Sequence, residues 1–339
     1  MDNTTDEPHH RVNEKTIYGN VDISTFAPGL YKEIFRNNFD FIRARILENK
    51  TRGYLIFASL RKQRTPEFLS VGEPAIVRDV IVGRHENCDI HLADDSSLSL
   101  RHLLLRFYGT KTEDCGCVRI LDLNTSAGFF DKSNTKVAGL TSNGTVFLRA
   151  SQSYLFIIRV EGNEENYDTF DAMWSSLPEQ SIKEDLDTDS SDTRISITVR
   201  PRLKLLSNSE SRAISCITRV PGPTHYEIPD LGDRRIFGFL FTDSNRGELT
   251  INLSAEQLSK GILIGRYPRC EIADEKITMS KNISRVHAML LLDLTGLWII
   301  DIASTNKTRV NDLLYNSFKI EKTTKFVLGG EKEFRWIFS

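Results

Sequence analysis

Short apolar runs closed by Gly, Asn, Asp or Ser recur along most of the chain. "YLIFASL", "AIVRDVIVG", "VRILDL", "TVFLRA" and "SYLFIIRV" lie between residues 54 and 160. "IFGFLFTD", "GILIG", "RVHAMLLLD", "LWIIDI" and "KEFRWIF" lie between 236 and 338. Each is too short for an independent helix and rich in β-branched or aromatic residues, which predicts a strand. Many short strands separated by turn signals predict antiparallel sandwiches. One segment has a different period. Leu30, Ile34, Phe35, Phe39, Ile42 and Ile46 recur at near-helical spacing after Ala27-Pro28-Gly29. This predicts one helix packed on the first sandwich, although its C-terminal part also reads as a strand.

Between the two strand-rich regions the pattern breaks. Residues 161–192 hold eleven Asp or Glu and one Lys, a local charge of −10 within a chain of net charge −2. The rest of the chain therefore carries +8. Apart from "FDAMW" this block reads as a solvated linker. Residues 194–232 contain "RISITVRPRLKLL", a possible strand, then a proline-broken stretch read as extended connection. The expected organisation is a disordered N-terminus over 1–16 and a helix plus sandwich over 17–160. A linker and connection follow over 161–235, and a second sandwich over 236–339.

Composition narrows the function. A 339-residue chain suffices for two domains. The N-terminus is hydrophilic and the longest apolar runs are far below the ~18 residues of a membrane span. A cytoplasmic, membrane-free protein is expected. Five Cys without framework spacing read as reduced thiols, and Cys115-x-Cys117 has no second pair to complete a zinc site. No nucleotide, hydrolase, zinc-protease or kinase signature occurs, so neither catalysis nor a cofactor or metal is expected. The modest +8, without a basic helix or aromatic-interleaved basic stripe, argues against nucleic acid.

The two strand-rich regions repeat each other. "IVGRHENCDIHL" from Ile81 matches "LIGRYPRCEIAD" from Leu263, which makes Gly83 equivalent to Gly265 and Cys88 to Cys270. "SLRH" at 99–102 matches "SRVH" at 284–287. "LDLNTSAGFF" at 121–130 matches "IDIASTNKTR" at 300–309. Three blocks recurring in one order indicate tandem copies of one domain.

Gly-Arg after a strand, then Ser-x-x-His, then Asp-x-x-Ser-Thr-Asn followed by Val-Asn, resembles the forkhead-associated (FHA) domain family. The second copy carries nearly the whole pattern. The resemblance implies an all-β protein of two sandwiches of about eleven strands each. It also implies binding of phosphothreonine peptides through loops at one end. The chemistry suits such a ligand, which presents close to two negative charges and three acceptor oxygens. Arg266 can fork two charge-assisted hydrogen bonds to phosphate. Ser284 offers a hydroxyl and Arg285 a second cation. Thr305 donates from the opposite loop, and Asn306 has donors and an acceptor for the peptide's own backbone. Gly265, His287 and Asn311 read as scaffold: close backbone approach, a buried loop anchor and a turn tie. Asp301 reads as a turn acceptor.

Each copy departs from the pattern. Lys307 stands where glycine usually follows the Asn, a strain if that position needs positive φ. The first copy keeps Arg84, Ser99 and His102, with Arg101 close by. Its turn reads Thr125-Ser126-Ala127-Gly128, so Ala127 replaces the peptide-holding Asn, and Leu100 replaces Arg285. Arg84, Ser99 and Ser126 are a possible weak second site.

The resulting expectation is a non-catalytic phosphothreonine-binding adaptor in kinase-linked signalling. Its partners would be Thr-phosphorylated proteins and a Ser/Thr kinase. The alternative is a scaffold that uses the same fold without regard to phosphorylation. The linker adds a possibility of self-association, through phosphorylated Thr188 or Thr193 docking into the second copy.

Overall fold

The computed structural model describes residues 29–48, 52–60, 66–109, 116–160, 168–177, 181–184, 196–199, 236–244, 247–273 and 280–339. Every apolar run named above contributes a strand. The first copy is two six-stranded sheets. One orders Glu67–Gly72, Gly53–Leu60, Ser153–Val160, Val146–Ala150, Phe129–Asp131 and Lys136–Val137. The other orders Ser181–Glu184, Gly139–Ser142, Val118–Asp122, Leu103–Tyr108, Val77–Gly83 and Ile90–His91. The second copy pairs a seven-stranded sheet with a four-stranded one built from Ile262–Ile264, Ala288–Asp293, Gly296–Asp301 and Ser317–Ile320. Among the described residues no helix is long and apolar enough to cross a membrane.

Several strands are buried on both faces, and the alternation of side chains shows what covers each. In Gly53–Leu60, Tyr54, Ile56 and Ala58 enter the first sandwich core while Leu55 and Phe57 face helices. In Leu103–Tyr108, Leu103, Leu105 and Phe107 face that same core while Leu104 faces the second copy. In Ala288–Asp293, Ala288 and Leu290 enter the second core while Met289 and Leu291 face the first copy. Near-continuous apolar strands such as "AMLLLD" therefore mark sheets covered twice.

The N-terminal segment departs from the expectation of one helix. It forms two, Gly29–Asn37 and Phe39–Glu48. Asn38 divides them. Its side chain donates to the Ile34 carbonyl at 2.8 Å, offering the backbone a competing partner at the helix end. Tyr31, Ile34, Phe35 and Ile42 pack on Phe147, Tyr154, Phe156 and Ile158.

Part of the segment expected as linker also has regular structure. Phe170–Ser176 is a helix capped by the Thr169 hydroxyl, with Met173 buried and Trp174 stacked on Phe147. Its apolar residues at i, i+3 and i+4 give it a face to bury despite the acidic surroundings. Ser181–Glu184 pairs with Gly139–Ser142, and Ser196–Val199 with the strand at Leu249–Asn252. Thr188, Thr193, Cys115 and the N-terminal 1–16 lie outside the described residues.

The two copies dock sheet against sheet, which the linker reading did not anticipate. The shared apolar layer uses the same positions from each copy: Ile81 with Leu263, Cys88 with Cys270, Leu104 with Met289, Leu121 with Ile300 and Leu123 with Ile302. An interface that presents one patch twice is isologous, the arrangement of a two-fold dimer enclosed in one chain. Three positions break the symmetry. Arg101, Arg106 and Arg119 stand where the second copy has Val286, Leu291 and Trp298. All three arginines are buried against the second copy. Arg106 donates through Nε to Asp293 at 2.6 Å and through one terminal nitrogen to both Asp79 oxygens at 2.9 and 2.7 Å. Its guanidinium lies 4.8 Å from the Trp298 ring centroid, and Arg119 donates to the Ser259 carbonyl at 3.0 Å.

Candidate functional site

The three repeated blocks meet at one end of each sandwich, and the two copies repeat almost bond for bond. A strand ends at Gly83 in the first copy and just before Gly265 in the second. The segment leading into a neighbouring strand passes so close that a Cβ on Gly83 would stand 2.4 Å from the Leu100 carbonyl oxygen, and one on Gly265 2.2 Å from that of Arg285. Only glycine permits this approach. The following arginine is then fixed. The Arg84 and Arg266 amides donate to the Ser99 and Ser284 carbonyls, and their Nε atoms donate to Leu98 and Ile283. The terminal guanidinium nitrogens of both have no partner among the described residues.

Histidine ties the walls together. His287 is fully buried. Its Nδ1 accepts from the Ser284 amide at 3.0 Å, so Nε2 carries the proton and donates to the Lys307 carbonyl at 3.2 Å. His102 makes the equivalent pair, with Ser99 at 3.2 Å and Gly128 at 2.8 Å. Both are anchors locked neutral. Burial pushes their pKa values down, more than Asp301 near His287 or Asp122 near His102 restores. Below pH ~6.5 the unfolded imidazoles take protons that the folded ones refuse. Folding stability is therefore expected to fall as pH drops from about 7 toward 5, by up to roughly 1.4 kcal/mol per unit for each histidine. Urea midpoints at pH 7.5 and 5.5 check this, and His287→Asn should flatten the slope.

The opposite wall is the turn after Gly296–Asp301. Asp301 accepts from the Ser304 amide and hydroxyl and from the Thr308 hydroxyl, at 2.8, 2.5 and 2.9 Å. This folds the turn so that Thr305 and Asn306 point outward and are exposed. The Thr305 amide donates to the Ser284 hydroxyl at 3.1 Å, which joins the walls. The Asn306 side-chain amide donates to the Asn282 carbonyl at 2.8 Å. Arg266, Ser284, Thr305 and Asn306 are thus brought together, with Arg285 exposed in the loop before Ala288–Asp293. Asn311 sits elsewhere. With φ of 50° at Asn311 and 65° at Asp312, it forms the two-residue turn between Thr308–Val310 and Leu313–Tyr315.

Lys307 adopts φ of 57° and its twin Gly128 φ of 63°, so the position does require the left-handed region. Lysine pays there what glycine does not, about 1–2 kcal/mol. Its ammonium, about one-third exposed, lies 3.7 Å from the buried Asp301 carboxylate, which Ser304 and Thr308 already satisfy. Lys307→Gly is expected to raise folding stability by about 1 kcal/mol in urea titration. An unchanged or lowered stability would mean that the charge pair outweighs the strain.

The turn of the second copy also leans on the first. Arg101 donates through Nε and a terminal nitrogen to the Ala303 carbonyl at 3.1 and 2.6 Å, and Asn87 donates to the Ser304 carbonyl at 3.3 Å. The sequence placed Arg101 beside the first pocket. It is instead consumed as a brace for the second, and nothing in the repeat signalled this or the role of Asn87. In the first copy Ser99 and Ser126 have no side-chain hydrogen bond among the described residues, and the two walls lack the serine tie.

Two segments, 80–138 and 262–329, match the model of the FHA domain. No curated protein matches. Solved structures that match part of this chain include the Slr1951 protein from Synechocystis sp., at 23% identity over 31% of this chain and 98% of that one, TM-score 0.26. Mycobacterium tuberculosis EmbR, solved in complex with a low-affinity phosphopeptide, is 20% identical over 31% of this chain and 25% of that one, TM-score 0.26. A chain from a study of phosphothreonine-dependent FHA domain interactions is 20% identical over 31% of this chain and 95% of that one, TM-score 0.24.

Proposed function

Because the chain carries two FHA domains in tandem, we propose that it is a non-catalytic adaptor that binds phosphothreonine peptides through the second copy. One observation carries this reading. Arg266, Thr305 and Asn306 gather beside the buried Ser284, held by a neutral histidine and a folded aspartate turn. Arg266 and Ser284 meet the phosphate, Arg285 adds charge, and Asn306 exchanges its Asn282 contact for the peptide backbone. The partners are Thr-phosphorylated proteins, with a Ser/Thr kinase upstream. Self-docking of phosphorylated Thr188 or Thr193 would compete with them. The test is fluorescence anisotropy with a library of phosphothreonine peptides and their unphosphorylated forms. Binding should require the phosphate and weaken as salt rises, since much of its energy is charge-assisted. Equal binding of both forms would favour the phosphorylation-independent scaffold.

A further inference from the structure

The contacts between the copies fix where the two pockets lie relative to each other. In each copy the pocket has two walls, the loop after Gly-Arg and the aspartate turn. The loop of the first copy reaches the turn of the second, where Asn87 donates to the Ser304 carbonyl. The loop of the second reaches the turn of the first, where the Arg269 carbonyl accepts from Asn124. Arg101 adds two bonds to the same end. At the other end of these strands Arg106 meets Asp293, and Arg119 meets the Ser259 carbonyl. Four loops therefore gather at one end of the molecule, and both pockets open there side by side. Lys307 stands at the junction: together with burial and Arg101, its charge helps to push the pKa of His85 in the first copy down.

The first pocket retains phosphate chemistry without a peptide grip. Arg84 is held by the same Nε-to-carbonyl bond as Arg266, at 3.1 Å, and its terminal nitrogens have no partner among the described residues. The Ser99 and Ser126 hydroxyls are likewise open. Lys136 lies across Gly128, where an added Cβ would stand 2.6 Å from its Cε and 3.4 Å from its ammonium, so a second cation borders the pocket. Against this, Ala127 has no side-chain amide to hold a peptide backbone, and the Glu86 carboxylate, whose charge acts on neighbouring His85, weakens attraction for a lone anion. Such a pocket is too poor to recruit a ligand but suffices for a phosphate delivered at high effective concentration.

We infer that the two pockets are lobes of one site for a doubly phosphorylated peptide. A phosphothreonine anchors in the second copy, and a second phosphorylated residue of the same ligand reaches Arg84, Ser99 and Lys136 in the first. The buried interface holds the lobes at a fixed separation, so only certain spacings between the phosphates engage both. This rests on the second copy binding phosphothreonine.

The full chain and its Arg84→Ala variant are titrated by anisotropy with three peptide sets. These carry one phosphothreonine alone, a second phosphorylated residue on either side at spacings of roughly two to ten residues, or Glu in place of the second phosphate. The expected result is a gain of ~10-fold or more at a restricted spacing, absent with Glu and lost in Arg84→Ala. No gain at any spacing, a gain kept in Arg84→Ala, or an equal gain with Glu would overturn the two-phosphate site. If the singly phosphorylated peptides also fail, the reading of the second copy fails with it. If they bind and only the second phosphate adds nothing, that reading stands alone.

Discussion

Arg266→Ala is expected to weaken binding of a phosphothreonine peptide by about 100-fold or more while leaving the fold intact. The magnitude follows from what the guanidinium does. A truncated charge pair in a partly desolvated site costs about 2–5 kcal/mol, and every 1.4 kcal/mol is tenfold. Ser284 and Thr305 offer neutral donors and Arg285 an exposed, screened charge, so none replaces a fork aimed at two phosphate oxygens. The fold should survive because Arg266 is half-exposed, and its only side-chain bond among the described residues is to the Ile283 carbonyl at the pocket rim. Arg266→Lys should recover a part of the affinity only, since a point charge restores attraction without the bidentate geometry. A variant with unchanged melting that binds the peptide as the parent does would move the pocket elsewhere.

Arg106→Ala is expected to be the most damaging single change to stability, about 3–5 kcal/mol. Arg106 is fully buried, and its partners Asp79 and Asp293 have side chains exposed by only 5% and 0%. Burial alone would push the guanidinium's pKa down, yet the two carboxylates beside it hold it above its usual range. Removing the cation leaves two carboxylates buried without a counter-charge, with the Ser317 hydroxyl on Asp79 and the Tyr108 hydroxyl and the Thr295 amide and hydroxyl on Asp293 as neutral donors. The network joins the copies, so the loss should also uncouple them. A single urea transition should become two, and the bracing of the second copy's turn by Arg101 and Asn87 should weaken with it. Arg106→Lys should fall between, because one ammonium cannot fork to both carboxylates. A parental midpoint and a single transition in Arg106→Ala would show that the apolar layer alone holds the copies together.

Much of the architecture is written locally. Strand runs of period two, closed by turn residues, need only neighbours in sequence to be read, and each became a strand. The pocket was legible for a related reason. Gly265, Arg266, Ser284, His287, Asp301, Thr305 and Asn306 act through short-range geometry repeated in the twin copy, and comparing "DIASTNKTR" with "DLNTSAGFF" isolates the missing Asn. The same comparison marked Lys307, but the sign of its φ came from the fold, which sets His287 to receive that carbonyl. The division of the N-terminal helical segment at Asn38 and the helical form of Phe170–Ser176 were not specified by the pattern, because a single side-chain-to-backbone bond and one apolar face decided them.

The docking of the two copies belongs wholly to tertiary structure. Arg106 and Arg119 lie between apolar neighbours on strands, a pattern that ordinarily means a solvent face, and Arg101 lies between Leu100 and His102 just before the strand at Leu103–Tyr108. Their burial depends on carbonyls and carboxylates 140 to 202 residues away in sequence. The sequence by itself determined two copies of one domain and the candidate residues of each pocket, because both follow from local pattern. Only the tertiary structure decided that the degenerate copy braces the intact one and turns its own pocket to the same end. Which surfaces meet depends on complementarity between distant patches, and no local pattern carries that.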